Sequence, residues 1–311
     1  MSVLICGSMA YDNIMVFPDQ FKNHILPDKV HMINVSFLVP DMRREFGGCA
    51  GNIAYGLNLL DESLPVTMAT VGKDFAPYAD WMTKHNLKQK HITVVDDSFT
   101  GQAFITTDLD DNQITAFHPG AMNESHQNKV SDASDIKLGI ISPDGRDGML
   151  QHAQQFADAN IPFVFDPGQG MPMFDGDDLK KFIELATWVT VNDYEWEMMQ
   201  ERTGLSADEI TAQVEALIVT RGGDGSYIYT KDKRYQIPSV KPETISDPTG
   251  CGDAYRAGLL YGLVNELDWA TTGRIASLMG SIKIAQHGTQ NHSFTLDEFK
   301  ELFKVNFEYS F

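Results

Sequence analysis

The chain has 311 residues, 42% of them hydrophobic and 22% charged, enough apolar material for a sizeable core and ordinary for a globular fold. Asp and Glu number 43 against 24 Lys and Arg, a formal net charge of -19, which repels a polyanion and excludes nucleic acid as a general partner. Three widely spaced cysteines, Cys6, Cys49 and Cys251, suggest neither a disulfide framework nor a zinc cluster.

The N-terminal segment has no basic region and only a short apolar run, so Val3–Cys6 reads as a first strand and not as a signal peptide. No apolar run approaches the roughly 20 residues of a membrane span. No membrane partner is expected, and a reducing cytoplasm is the expected location. Ala50–Leu60 carries apolar residues at helical spacing, followed by a strand at Val66–Val71 and a helix near Phe75–His85. Strands follow at Leu138–Ile141, Phe163–Phe165, Trp188–Val191 and Ala216–Thr220, with helices at Met149–Ala159 and Tyr194–Thr203 between them. Gly225–Thr230 and Arg234–Ile237 read as a hairpin. Three helices close the chain: Asp253–Asn265, Trp269–His287 and Leu296–Phe303. Strands alternating with helices of about 10–15 residues predict a parallel sheet covered on both faces.

Two regions break this rhythm. Residues 12–46 show little helical pattern and contain a strand-like run, Met32–Val39. Residues 99–118 read as two strands, Thr100–Asp108 and Gln113–His118, joined by a turn at Leu109–Asn112. Together they suggest a small β-sheet standing off the main body.

Asp247-Pro248-Thr249-Gly250-Cys251-Gly252-Asp253 is the most informative stretch. It is a small-residue turn that runs straight into a helical pattern. Backbone N–H groups at a helix start are unpaired and face an anion. Asp253 puts a carboxylate in the same turn. Phosphate donors beside a carboxylate are the parts that phosphoryl transfer needs.

Four segments in chain order, Phe46–Asn52, Asn192–Glu195, Thr220–Gly225 and Asp247–Ala254, resemble the ribokinase-like (phosphofructokinase-B type) kinases of carbohydrates and nucleosides. The likeness is strongest to bacterial adenosine kinases and covers essentially the whole chain. It implies an α/β fold, with a central, mostly parallel sheet, helices on both faces and a small β-sheet lid. It also implies a single kinase domain over 1–311, the lid coming from segments within 12–46 and 99–118. By the same resemblance Asp253 is the catalytic base, and the amides of Gly250, Cys251, Gly252 and Asp253 form an anion hole. The family commonly has Ala where Cys251 stands. This side chain reads as a space-filler, with a thiol activated by the helix N-terminus as the other reading.

Gly47 and Gly48 resemble the family's substrate-side turn. Asn52 offers a donor and an acceptor to vicinal hydroxyls, and Asp12 matches the acidic substrate residue. Asn192 and Glu195 resemble the Asn-x-x-Glu motif, in which Glu195 organises Mg²⁺ through water, since Mg²⁺ keeps much of its hydration shell. Helix capping is the other reading of the same pair. Thr220, Gly222, Gly225 and Thr249 are implied on the nucleotide side, and Gly288 and Asn291 fall where the family lines its adenine pocket. ATP and Mg²⁺ are thereby implied. K⁺ is a further ligand to consider, because many members carry a monovalent-cation site near 245–249 and 284–293.

Phe37, Phe104, Phe117 and Met122 lie in or near the lid-like strands and offer stacking surfaces for a purine. Adenosine or a related nucleoside, phosphorylated on its 5′-hydroxyl, is therefore the expected substrate. A ribokinase-like sugar kinase is the alternative. A catalytically silent nucleoside-binding protein is a further one, which Asp253 and the intact turn oppose. The expected partners are small molecules, and the expected assembly is a monomer or a homodimer. The Gly-x-Gly-x-x-Gly spacing of a dinucleotide-dependent oxidoreductase does not follow the first strand.

Overall fold

A computed structural model describes residues 2–25, 32, 34–110 and 112–311. Its frame is a nine-stranded sheet built around β1 (Ser2–Cys6). The two-residue period of a strand divides β1 between two cores. Val3 and Ile5 enter one apolar cluster, whereas Leu4 and Cys6 enter the other.

On one side β1 pairs with β4 (Pro65–Gly72) and then β5 (His91–Val95). On the other it pairs with β8 (Ile136–Ile141), followed by β9 (Phe163–Phe165), β10 (Trp188–Asn192) and β11 (Ala216–Thr220), all parallel. The antiparallel hairpin β12 (Ser226–Tyr229) and β13 (Arg234–Ile237) ends the sheet. Helices α1 (Cys49–Leu60), α2 (Ala76–Lys84), α7 (Cys251–Val264), α8 (Trp269–Ile284) and α9 (Leu296–Phe307) cover the Val3 face. Helices α3 (Arg146–Asp158), α4 (Gly176–Leu185), α5 (Asp193–Thr203) and α6 (Ala207–Thr211) cover the other. The expected α/β layering is thus present.

A second sheet has four strands in the order β3 (Asp41–Gly47), β2 (Ala10–Val16), β6 (Gly101–Thr107) and β7 (Gln113–His118). Its outer strands are antiparallel to their neighbours, whereas β2 and β6 run parallel. The strand expected at Met32–Val39 is displaced. Residues 34–40 form no strand, residue 33 lies outside the described residues, and β3 begins only after Pro40. The reason is local. Phe37 leaves the run to pack on Phe17 and Phe21, with ring centroids 4.8 and 5.1 Å away. Pro40 brings no N–H to a ladder. The polar Arg43-Arg44-Glu45 segment pairs instead, because β2 supplies a full antiparallel partner. The turn expected at Leu109–Asn112 includes residue 111, which lies outside the described residues.

Candidate active site

The turn 247–253 closes on α7 in the geometry that its small residues dictate. Gly250 caps the helix with φ 76° and ψ 4°, a left-handed conformation that glycine adopts without strain. The Cys251 amide donates to the Pro248 carbonyl at 3.2 Å, so that donor is already engaged. The amides of Gly252 and Asp253 find no acceptor among the described residues and stand at the positive end of the helix. Asp253, in the first turn of α7, is partly buried, and burial raises its carboxyl to about 6, against the opposing pull of Asn52 and Arg256. The Cys251 thiol is pushed up to about 11 by burial and by the Asp247 and Asp253 carboxylates, against Lys283. It is therefore a neutral filler beside the turn, and the thiolate reading is withdrawn.

A chain of hydrogen bonds fixes the orientation of Asn52, which is buried on α1. The Trp81 indole, a pure donor, donates Nε1–H to Gln290 Oε1 at 3.0 Å. Gln290 must then turn its amide nitrogen the other way, and it donates to Asn52 Oδ1 at 3.0 Å and to the Tyr78 hydroxyl at 2.6 Å. Tyr78 in turn donates to the Gly47 carbonyl at 2.9 Å. With Oδ1 committed, Asn52 presents Nδ2 to Asp253 Oδ2 at 2.8 Å.

Gly48 enters α1 with φ 85°, where an added Cβ would sit 2.6 Å from Met9 Cα. Gly47 leaves room for Asp12, whose Oδ2 lies 2.6 Å from where a Cβ would stand. Asp12 is raised to about 6 by burial first, then by the Asp247 and Glu45 carboxylates.

The register of the small sheet sorts the aromatic candidates. Glu45, Asp12, Ala103 and Phe117 form one cross-strand row, and paired residues in a row share a face. Arg44, Asn13, Phe104 and Ala116 form the next row, on the opposite face. Phe117 therefore shares the face of Asp12. Phe104 lies on the opposite face, so the structure does not bring it together with Asp12 and Phe117 as expected.

Asp253 also lines a cavity of about 880 Å³ at the C-terminal ends of the parallel strands, the edge where open α/β sheets bind ligands. Asn192, Glu195, Thr220, Gly222 and Gly225 line it, together with Gly250, Cys251 and Gly252. Asn192 and Glu195 form a reciprocal cap on α5. Asn192 Oδ1 accepts from the Glu195 amide at 2.7 Å, and the Glu195 carboxylate accepts from the Asn192 amide and side chain, both at 2.8 Å.

Among the described residues, no group of three His, Cys, Asp or Glu side chains is placed to hold a metal directly. A carboxylate already bonded at both oxygens, on the wall of this cavity, fits a hydrated Mg²⁺ met through water and not a protein cage. Burial raises the Glu195 carboxyl, and Arg256 works against that shift.

Three expected residues lie elsewhere. Thr249 is exposed and does not line the cavity; its amide donates to Asp247 Oδ1 at 2.9 Å. Gly288 donates to Asp247 Oδ2 at 3.0 Å, and Asn291 donates to Glu45 Oε2 at 3.0 Å. Neither lines the cavity, so both tie the C-terminal turn to its surroundings.

The main omission from the sequence reading is Arg256. Its guanidinium binds Asp166 through two bonds of 2.9 Å and comes within 4.0 Å of Glu195. Helical spacing was the available signal, because Arg256 lies three residues after Asp253 and so on its face. Asp166 directly follows β9. Tyr78 and Trp81 carry no such signal, being aromatic residues in an ordinary helix.

The pfkB family carbohydrate kinase profile matches residues 9–295. A nucleoside kinase of Methanocaldococcus jannaschii is 32% identical over 271 residues, spanning 86% of this chain and 88% of that one. The structure of Burkholderia thailandensis nucleoside kinase in complex with inosine matches with a TM-score of 0.90 at 53% identity, covering 99% of both chains. The same enzyme in complex with ADP-inosine matches with a TM-score of 0.88 at 55% identity, covering 99% of this chain and 97% of that one. This chain belongs to the pfkB family of carbohydrate kinases and is a phosphotransferase acting on a hydroxyl group of a nucleoside or sugar.

Proposed function

We propose that the chain transfers the γ-phosphoryl group of ATP to the 5′-hydroxyl of adenosine or a related purine nucleoside. One observation carries this reading. Asp253 belongs to two neighbourhoods at once, bonded to Asn52 on the substrate side and lining the nucleotide-sized cavity beside two helix-start amides that have no acceptor among the described residues. The inosine complex of the Burkholderia enzyme supports a nucleoside over a free sugar. Its complex with ADP-inosine supports ATP as the donor.

In this account Asp12 accepts hydrogen bonds from the ribose hydroxyls, and Phe117, on the same face, stacks on the base. The Asn52 bond occupies Asp253 Oδ2, which leaves Oδ1 to meet the 5′-hydroxyl. As the 5′-oxygen bonds to the γ-phosphorus, its proton passes to Asp253 and the bond to the β–γ bridging oxygen breaks, releasing ADP. The Gly252 and Asp253 amides hold the equatorial oxygens of the moving group. Mg²⁺, bound with the nucleotide, supplies neutralisation of the phosphate charge, and Glu195 meets its hydration shell. The small sheet acts as a lid that keeps water from the phosphoryl group, and Asn291 and Thr289, bonded to Glu45 and the Phe46 carbonyl, tie it to the segment after α8.

A coupled ADP-release assay across adenosine, inosine, ribose and fructose 6-phosphate tests the proposal. Release with the purine nucleosides is expected. Release with sugars alone would move the acceptor class, and release with none would leave a binding protein.

A further inference from the structure

Lys283 on α8 is fully buried, with 0% of its surface exposed. A buried ammonium is normally paired with a carboxylate, yet this one ends on backbone oxygens. Its Nζ donates to the Asp247 carbonyl at 2.7 Å and to the Gln286 carbonyl at 3.2 Å. Asp247 is the first residue of the phosphoryl-binding turn, and every part of it is held. Its amide and that of Ser246 donate to the Ile284 carbonyl at 3.2 and 2.9 Å. Its carboxylate takes the amides of Thr249 and Gly288 at 2.9 and 3.0 Å. The Lys283 ammonium therefore sits where the turn, the end of α8 and the 286–288 segment converge. Asp247 and Asp253 counter the burial that pulls its pKa down.

K⁺ in this region would exchange its hydration shell for backbone carbonyl oxygens. Two carbonyl oxygens of this region, those of Asp247 and Gln286, already accept hydrogen bonds from the Lys283 ammonium, a unit positive charge tethered to α8. The residues present thus do not fit a dissolved monovalent cation, and the expectation of K⁺ is revised.

We propose that the Lys283 ammonium serves as a built-in monovalent cation, positioning the 247–253 turn through the Asp247 and Gln286 carbonyls so that phosphoryl transfer needs no K⁺. This inference rests on the kinase reading above, and part of its test does not depend on turnover. It makes Lys283 a positioning residue, since it acts through the turn.

The test compares chloride salts of K⁺, NH₄⁺, Na⁺ and choline at constant ionic strength. For the unaltered protein, kcat and Tm should be the same in all four. A saturable rise of Tm with K⁺, the mark of a ligand that binds the native state, would overturn the proposal whether or not any acceptor is phosphorylated. Lys283→Met keeps the volume and removes the charge. In choline its kcat should fall by about 10–100-fold, the loss expected when a reacting group is misplaced, with the nucleoside KM little changed. K⁺ or NH₄⁺ should restore part of the rate, and choline should not. Normal kcat in the variant, or a loss that neither cation relieves, would overturn the proposal. Should Lys283→Met fail to fold, the salt series on the unaltered protein still decides.

Discussion

Asp253→Asn should slow the enzyme and stabilise the protein at the same time. The rate effect follows from removing the base: kcat should fall by about 10²–10⁴-fold, or about 3–5 kcal/mol of barrier. The stability effect follows from burial. The folded-state value of about 6 lies above the 3.8 of the exposed group. The folded state therefore holds the proton more tightly than the unfolded chain. Stability from this linkage is fully present below about pH 4 and is lost as pH rises through 6. At pH 8 the native protein carries the whole penalty, on the order of 3 kcal/mol for a shift of about two units. Asn removes the charge and keeps an acceptor for Asn52. Its gain should build as pH rises from about 4 to 6, be complete above 6 and vanish below 4. For a chain of this length about 3 kcal/mol corresponds to a Tm rise of about 4 °C. Calorimetry of both proteins at pH 8 and pH 5, beside kcat at pH 8, reads both effects. A variant with near-normal kcat, or one destabilised at pH 8, would refute the account of Asp253 as a buried, charged base.

Three further outcomes follow from neighbouring groups. Asp12→Ala should raise the nucleoside KM strongly and leave the ATP KM near normal, and steady-state titration of each substrate reads the difference; equal changes in both would remove Asp12 from the acceptor site. Because burial brings both Asp12 and Asp253 to about 6, log kcat/KM should fall below about pH 6 with a slope rising toward two protons. In Asp12→Asn that slope should drop to one, and an unchanged limb would contradict the pairing. Arg256→Met should cost about 3–5 kcal/mol in a urea melt, because it strands the buried Asp166 carboxylate; a cost below about 1 kcal/mol would show that Asp166 is satisfied without it.

The main sheet was legible because burial on both faces leaves unbroken apolar runs such as Leu138–Ile141 and Ala216–Thr220, which became β8 and β11. The small sheet was half legible. Gln113–His118 matched β7, whereas Asp41–Gly47 hid its pairing behind exposed Arg and Glu side chains. The motif turns were readable because glycine marks backbone that other residues avoid, as at Gly48 and Gly250. What those turns touch was not readable. Asn52 is oriented by Gln290 and Trp81, 238 and 29 residues away in sequence, and only the fold brings that relay together. Phe104 and Phe117 looked equivalent until strand register put them on opposite faces.

The central claim is the transfer of a phosphoryl group to a nucleoside 5′-hydroxyl with Asp253 as base. Following ³¹P NMR of adenosine and ATP with Mg²⁺ tests it most directly. The account predicts ADP together with a phosphomonoester signal split by the two 5′ protons, formed by the unaltered protein and slowed at least about 100-fold by Asp253→Asn. A phosphate on the 2′- or 3′-oxygen, inorganic phosphate alone, or equal rates for the two proteins would contradict it.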